Sequence, residues 1–175
     1  MNLHDDPVCG RRCKEVQAGS LTIRPYRPSD LDQILLLFFD TVHIVNSRDY
    51  TKDQVDRWAP AERCDRMRWE SFLAENNAYV AVIGDVVVGF ADCTAGCYLH
   101  MLYTHAEYQG CGIGSGLLAT LEENARTSGC RCIRTDASIT ARPFFARRGY
   151  ECLGEEWVFL SGMAFLRYRM RKKIL

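Results

Sequence analysis

The chain lacks net charge: its 22 Lys and Arg offset 22 Asp and Glu. That removes the broad basic field that draws proteins onto nucleic acid or anionic lipid, so neither is expected as a partner. Any anionic ligand must instead be held by local geometry. No run of about 18 apolar residues occurs, so no segment reads as a membrane-spanning helix. Repeats, low-complexity segments and an interdomain linker are also missing. Met1 to Asp6 is polar and acidic, without the apolar core of a secretion signal. No complete set of zinc ligands is present. Cys9/Cys13 and Cys93/Cys97 are four apart, whereas structural zinc prefers tight Cys-x-x-Cys pairs and four ligands, so no metal is expected.

Cysteine itself is abundant, with nine residues, an odd number. Without an export signal the thiols read as reduced and the protein as cytoplasmic. Cys130 and Cys132 alternate in a predicted strand and read as small apolar residues. A length of 175 residues and 47% hydrophobic content fit one packed domain. A flexible leader is expected over 1–19 and a single domain over 20–175.

Leu21 to Tyr26 alternates as a strand. Pro28-Ser29-Asp30 opens a helix, with Ser29 or Asp30 as N-cap, and Leu31 to Val45 continues it. Short helices follow from Thr51 to about Pro60 and from Ala61 to Ala74. Phe38, Phe39, Trp69 and Phe72 are assigned to the core. Ala78–Ile83 and Val86–Ala91 form a hairpin across Gly84-Asp85. Further strands are expected over Cys97–Thr104 and Cys130–Asp136. A helix over Thr140–Arg148 ends at Gly149, and a last hairpin pairs Glu151–Leu160 with Met163–Met170. This order predicts an α/β or α+β sandwich around one mixed sheet.

The segment from Tyr103 to Leu118 carries the chemistry. A strand enters a turn, Gln109-Gly110-Cys111-Gly112-Ile113-Gly114-Ser115-Gly116, and the turn enters a helix. Glycines let a ligand approach the main chain closely. Successive N–H groups and the positive end of the helix dipole then form a phosphate site. The dinucleotide fingerprint fails, because its third glycine falls on Ser115 or Leu117. The Walker loop fails because no Lys follows the glycines.

Gln109-x-x-Gly112-x-Gly114 resembles the acetyl-CoA motif of the GNAT superfamily of N-acetyltransferases. Ser138-Ile139-Thr140-Ala141-Arg142-Pro143-Phe144-Phe145-Ala146-Arg147-Arg148-Gly149-Tyr150 resembles that superfamily's second motif. The resemblance covers about residues 20–172. Tyr50-Thr51 and Gln54-x-x-x-Trp58-Ala59-Pro60 make it similar to the YafP-like branch. It implies a largely antiparallel mixed sheet flanked by helices, and acetyl-CoA as co-substrate. By the same resemblance, the backbone of Leu102, Tyr103 and Thr104 lies along the pantetheine arm and donates to the thioester oxygen. Gln109, Gly110, Cys111, Gly112, Ile113 and Gly114 hold the pyrophosphate, with Ser115 close behind. Ser138 and Phe145 stand beside the cofactor arm, and Arg142, Arg147 or Arg148 could meet the 3′-phosphate.

Transfer of an acetyl group to an amine needs a base for the amine, donors for the oxyanion and an acid for the thiolate. The superfamily's usual acid is a Tyr, and Phe145 stands there with no proton to give. Ser138 is the first alternative, Tyr150 the second and water the third. For the base, Asp92 leads and His100 is the alternative. His43, Tyr50 and Trp58 are the expected wall of the acceptor pocket. The acceptor is expected to be a small-molecule amine. A non-catalytic acyl-CoA binder, or an acetyltransferase of protein lysines or N-termini, is the alternative. The protein reads as a monomer or homodimer.

Overall fold

The computed structural model describes residues 21–60 and 65–174. The expected leader, residues 1–19, lies outside the described residues. After β1 (Leu21–Pro25), apolar residues three and four apart drive helix α1 (Leu31–Ile44), which buries Leu31, Ile34, Leu37 and Val42 on one face. The expected cap is corrected here. Asp30 does not hold the helix amides. Its carboxylate takes two 2.8 Å bonds from the Arg24 guanidinium and one of 2.8 Å from the Arg27 N–H. Burial alone would push this carboxyl up, but the Arg24 and Arg27 bonds bring it below its ordinary value.

Helix α2 (Lys52–Trp58) opens on a capping box between Thr51 and Gln54. Helix α3 (Arg66–Glu75) starts where Asp65 accepts from the Arg68 N–H at 3.1 Å. The expected first turn of α3 over 61–64 lies outside the described residues. Then come β2 (Asn77–Ile83), β3 (Val86–Cys93), β4 (Tyr98–Thr104), α4 (Ile113–Thr127), β5 (Cys132–Ser138), α5 (Arg142–Ala146), β6 (Glu151–Leu160) and β7 (Met163–Lys173).

All seven strands form one sheet in the order β1-β2-β3-β4-β5-β7-β6. Every pairing is antiparallel except β4 with β5. The sheet is therefore mixed and largely antiparallel, as expected. Helix α4 covers one face, where Leu117, Leu118 and Leu121 meet Ala91, Leu99, Ile133 and Met170. Helices α1 and α3 cover the other, around Val80, Phe90 and Met101. Each large side chain so buried contributes about 1.5–3 kcal/mol. Phe38, Phe39, Trp69 and Phe72 are only partly buried and sit at the margins of these clusters.

Three local expectations are corrected. The glycine turn is shorter than Gly110–Gly116, because α4 already begins at Ile113. Gly114 and Gly116 serve packing. A Cβ at Gly116 would stand 2.8 Å from Ile23 Cδ1. Strand β5 begins at Cys132, not Cys130, because the Cys130 N–H closes the end of α4 on Ala125 O at 2.9 Å. Finally, the thiols are not all reduced. Cys97 and Cys130 form a disulfide, while Cys93, Cys132 and Cys152 remain free. The two bonded residues precede the paired starts of β4 and β5, which brings their Cα atoms to 6.3 Å.

Candidate active site

Strands β4 and β5 pair at only two positions, Tyr98 with Arg134 and Leu99 with Thr135. Beyond them the strands diverge, while β4 stays paired with β3 as far as Thr104. The β3–β4 register slips once. Cys93 faces Leu99, Asp92 faces Met101, and His100 is left over. An extra residue of this kind is a β-bulge, and it shifts the side-chain alternation by one step. Leu99 accordingly packs on the α4 side, whereas Met101, two residues on, packs on the α1–α3 side. The opened cleft leads into a cavity of about 1050 Å³.

At one end of the cleft lies the glycine turn. Gly110 and Gly112 hold φ of 77° and 86°, values that disfavour a side chain. The first amide tied back into the helix is Gly116, whose N–H reaches Gly112 O at 3.0 Å. The amides of Ile113, Gly114 and Ser115 precede it and have no carbonyl four residues back within the helix. Arg148 adds a guanidinium beside them. It hydrogen-bonds Ser115 Oγ, stacks 4.0 Å over the Phe144 ring and lines the cavity. A cation at the positive end of a helix is unfavourable by about 0.3–1 kcal/mol unless an anion joins it. The arrangement therefore fits a phosphate-bearing ligand. Arg147 also lines the cavity, but Arg142 does not; it stacks on Tyr168 at 4.3 Å. Gln109 turns its side chain back to Thr104 O at 2.6 Å, so only its main chain faces the turn. Thr41 Oγ1 also donates to that carbonyl, at 3.1 Å, which leaves it no free lone pair for a ligand.

At the other end, His100 lines the cavity with its side chain 42% exposed, and the Phe72 ring lies 4.4 Å away. Asp92 is wholly buried on the neighbouring strand and is not part of the cavity wall. Its Oδ2 accepts from Asn76 Nδ2 at 2.9 Å, and its Oδ1 lies 3.7 Å from His100 Nδ1.

A cleft between splayed parallel strands, with a main-chain anion cradle at one end and an imidazole at the other, suits transfer chemistry on a phosphate-bearing donor. The acetyltransferase (GNAT) domain description matches residues 46–172. The chain belongs to the GNAT acetyltransferase family. It is 33% identical over 155 residues to YafP, an uncharacterized N-acetyltransferase of Escherichia coli K12, covering 89% of this chain and 97% of that one. A GCN5-related N-acetyltransferase from Rhodopseudomonas palustris superposes with a TM-score of 0.83 at 30% identity, over 87% and 94% of the two chains. The PaiA N-acetyltransferase of Thermoplasma acidophilum, solved in complex with coenzyme A, shares the fold. Its TM-score is 0.72 at 18% identity, over 87% of this chain and 98% of that one.

As a GNAT protein the chain is an N-acetyltransferase using acetyl-CoA. Its hydroxyls are distributed unlike the expectation. Phe145 is buried between the Phe144 and Tyr150 rings, 5.3 and 5.1 Å away. Tyr150 is buried away from the cavity, and burial followed by Glu122 pushes its phenol up, so it is no acid for this cleft. Ser138 lines the cavity, but its Oγ accepts the Ala141 N–H at 3.0 Å. Two cavity phenols escaped the sequence reading. Burial, then Asp136, pushes Tyr98 up to about 12, and its hydroxyl donates to Asp136 Oδ2 at 3.0 Å. Tyr103, expected to act through its backbone, also lines the cavity, and its phenol is pushed up mainly by burial.

Of the expected acceptor wall, only Trp58 lines the cavity. His43 stacks on Phe39 at 4.0 Å and faces Asp56 at 3.4 Å. Tyr50 is structural. Its hydroxyl accepts from the Ile139 N–H at 2.9 Å and donates to Leu166 O at 3.3 Å. Phe38, Trp69, Phe72 and Tyr98 line the cavity instead. Asn76, Tyr98 and Asp136 carried one usable signal in the sequence: Tyr98 stands two residues before His100, the spacing of one strand face.

Proposed function

We propose that this protein transfers the acetyl group of acetyl-CoA directly to the amine of a small molecule. The observation that carries the proposal is a single cleft joining the amide cradle of Ile113–Ser115 to the exposed imidazole of His100. In this reading the main chain of Gly110–Ser115 and the Arg148 guanidinium hold the pyrophosphate. The β4 edge at Leu102–Tyr103, freed by the splay, aligns the pantetheine arm, and its amides face the thioester oxygen. As the amine lone pair attacks the thioester carbon, His100 takes the amine proton. The carbon–sulfur bond breaks and the thiolate draws its proton from water, because Phe145 has none and the Ala141 N–H holds Ser138 Oγ in the turn into α5.

The aromatic wall of Phe38, Trp58, Trp69, Phe72 and Tyr103 supports a small acceptor over an extended peptide. The cytoplasm is the proposed compartment because the donor is available there. The Cys97–Cys130 disulfide runs against it. The test is release of CoA thiol from acetyl-CoA with a panel of small amines and lysine peptides. Turnover with small amines alone is expected. Turnover confined to peptides would move the acceptor to protein. Tight acetyl-CoA binding without turnover would favour a non-catalytic binder, a reading that the buried Phe145 motivates. Failure to bind acetyl-CoA would remove the proposal.

A further inference from the structure

Asp92 is the most unusual ionisable residue in the described chain. Its side chain is fully buried in β3. Asn76, the residue after α3, satisfies one carboxylate oxygen, and the other has no hydrogen-bond partner. A buried carboxylate with an open oxygen is destabilising unless a charge or donor completes it. The group facing Oδ1 is His100 Nδ1, at 3.7 Å. That is longer than a hydrogen bond, and contacts of this kind often tighten only when substrate is bound.

The bulge makes the pair possible. Met101 occupies the position opposite Asp92, and the extra residue, His100, is free to turn its ring toward the carboxylate. Phe72, on α3, packs against that ring. The same helix thus braces both members, Phe72 against the imidazole and Asn76, just past its end, against the carboxylate.

We infer that Asn76, Asp92 and His100 form a relay in which Asp92 is a positioning residue for the His100 base. The inference deepens the acetyl-transfer reading and rests on it. A proton on Nδ1, directed at Asp92, leaves the Nε2 lone pair for the acceptor amine. When Nε2 takes the amine proton, the buried Asp92 carboxylate lies beside the ring that gains the positive charge. The other charged or titratable groups of the same cavity are Arg48 after α1, Asp65 and Arg68 at the start of α3, Tyr98 and Tyr103 in β4, Tyr108 after it, Asp136 in β5, Arg147 and Arg148 after α5, and Arg167 in β7. Tyr98 and Arg167 are both bonded to Asp136, at 3.0 and 3.2 Å. Asp92 is the one carboxylate paired with His100 among the described residues.

The sign of the pH effect follows. Removing the Asp92 charge disfavours the imidazolium that forms when His100 takes the amine proton. The base works unprotonated, so the acid limb of kcat/KM moves to lower pH. In Asp92→Asn, kcat should fall about 100-fold and the limb should move to lower pH. The Kd for acetyl-CoA, measured by calorimetry, should change less than about twofold. A limb that stays in place, or an unchanged kcat, overturns the relay.

In case that variant fails to fold, nitrogen–proton NMR of the wild-type chain reads the His100 tautomer directly. A proton on Nδ1 is expected, and a neutral ring protonated on Nε2 overturns the inference. The NMR measurement uses no acyl donor. Its failure would leave acetyl transfer standing, whereas an absence of CoA release would sink the transfer reading and leave the tautomer result intact.

Discussion

The two ends of the cleft are built from different material. The proposed donor end is mainly backbone: the amides of Ile113, Gly114 and Ser115, in a turn where Gly110 and Gly112 hold left-handed conformations. The proposed acceptor end is side chain: His100 at a bulge, Asp92 buried behind it, Asn76 and Phe72 bracing them. A backbone site tolerates most substitutions that keep its glycines. A side-chain site depends on a register slip, a buried charge and two neighbours at once. Substitutions at the two ends should therefore separate binding of the donor from the chemical step.

The largest separation is expected from His100→Gln. Losing the base should lower kcat by about 10² to 10³. The Kd for acetyl-CoA should stay within about twofold, because no part of the amide cradle is touched. Stopped-flow turnover and calorimetry on the same preparation measure both. If affinity falls as far as kcat, the two ends are not independent and the comparison fails.

Gly114→Val should give the opposite pattern. A Cβ there would stand 3.3 Å from both Phe144 Cε2 and Thr104 Oγ1, and the branched methyls add to the crowding. Overpacking of this kind costs about 1–3 kcal/mol, and the strain falls on the cradle itself. Acetyl-CoA affinity should drop about 10- to 100-fold, while kcat at saturating donor changes little. A variant that binds normally but turns over slowly would show that Gly114 serves the chemical step.

This division also explains what the sequence could disclose. The glycine turn and its helix were legible because glycine is a residue type whose spacing encodes backbone shape, and because Leu117 to Glu122 continues as a helix. Its boundary was not. Gly114 and Gly116 read as turn residues until the closeness of Ile23, Thr104 and Phe144 shows them as packing residues. Most strands and the mixed sheet were legible from alternation. The bulge was not, since nothing in Leu99-His100-Met101 marks the extra residue, and the slip exists only against β3. Without it, Asp92 and His100 were two rival bases, not a pair. His43 and Tyr50 were misplaced for a related reason: α1 and the following turn direct them at Asp56 and Ile139, contacts 13 and 89 residues apart. The Cys97–Cys130 disulfide likewise depends on the parallel β4–β5 pairing, which brings residues 33 apart together.

A finer cut within the donor end comes from Arg148→Met. The guanidinium sits at the positive end of α4, where it is favourable only with an anion present. Acetyl-CoA affinity should fall about 3- to 10-fold at low ionic strength, and the difference from wild type should shrink as salt rises. Thermal stability of the ligand-free protein should change by less than a degree or two, since a mild repulsion and the Ser115 bond are lost together. An affinity loss that persists in high salt would mean that Arg148 acts through its stacking on Phe144, not through its charge.

The smallest effect is expected from Ser138→Ala, and it decides whether the acceptor end holds its own acid. Ser138 is a cavity hydroxyl at the position beside the cofactor arm, which made it the first candidate to protonate the thiolate. Its oxygen instead caps the turn into α5 through the Ala141 N–H. If water supplies the proton, kcat should fall less than about threefold, and the main loss should be the cap, about 1 kcal/mol of stability. Solvent isotope effects on kcat should then match wild type. A fall of tenfold or more, with stability unchanged, would return the acid to Ser138 and make the chemistry at both ends of the thioester a matter of side chains.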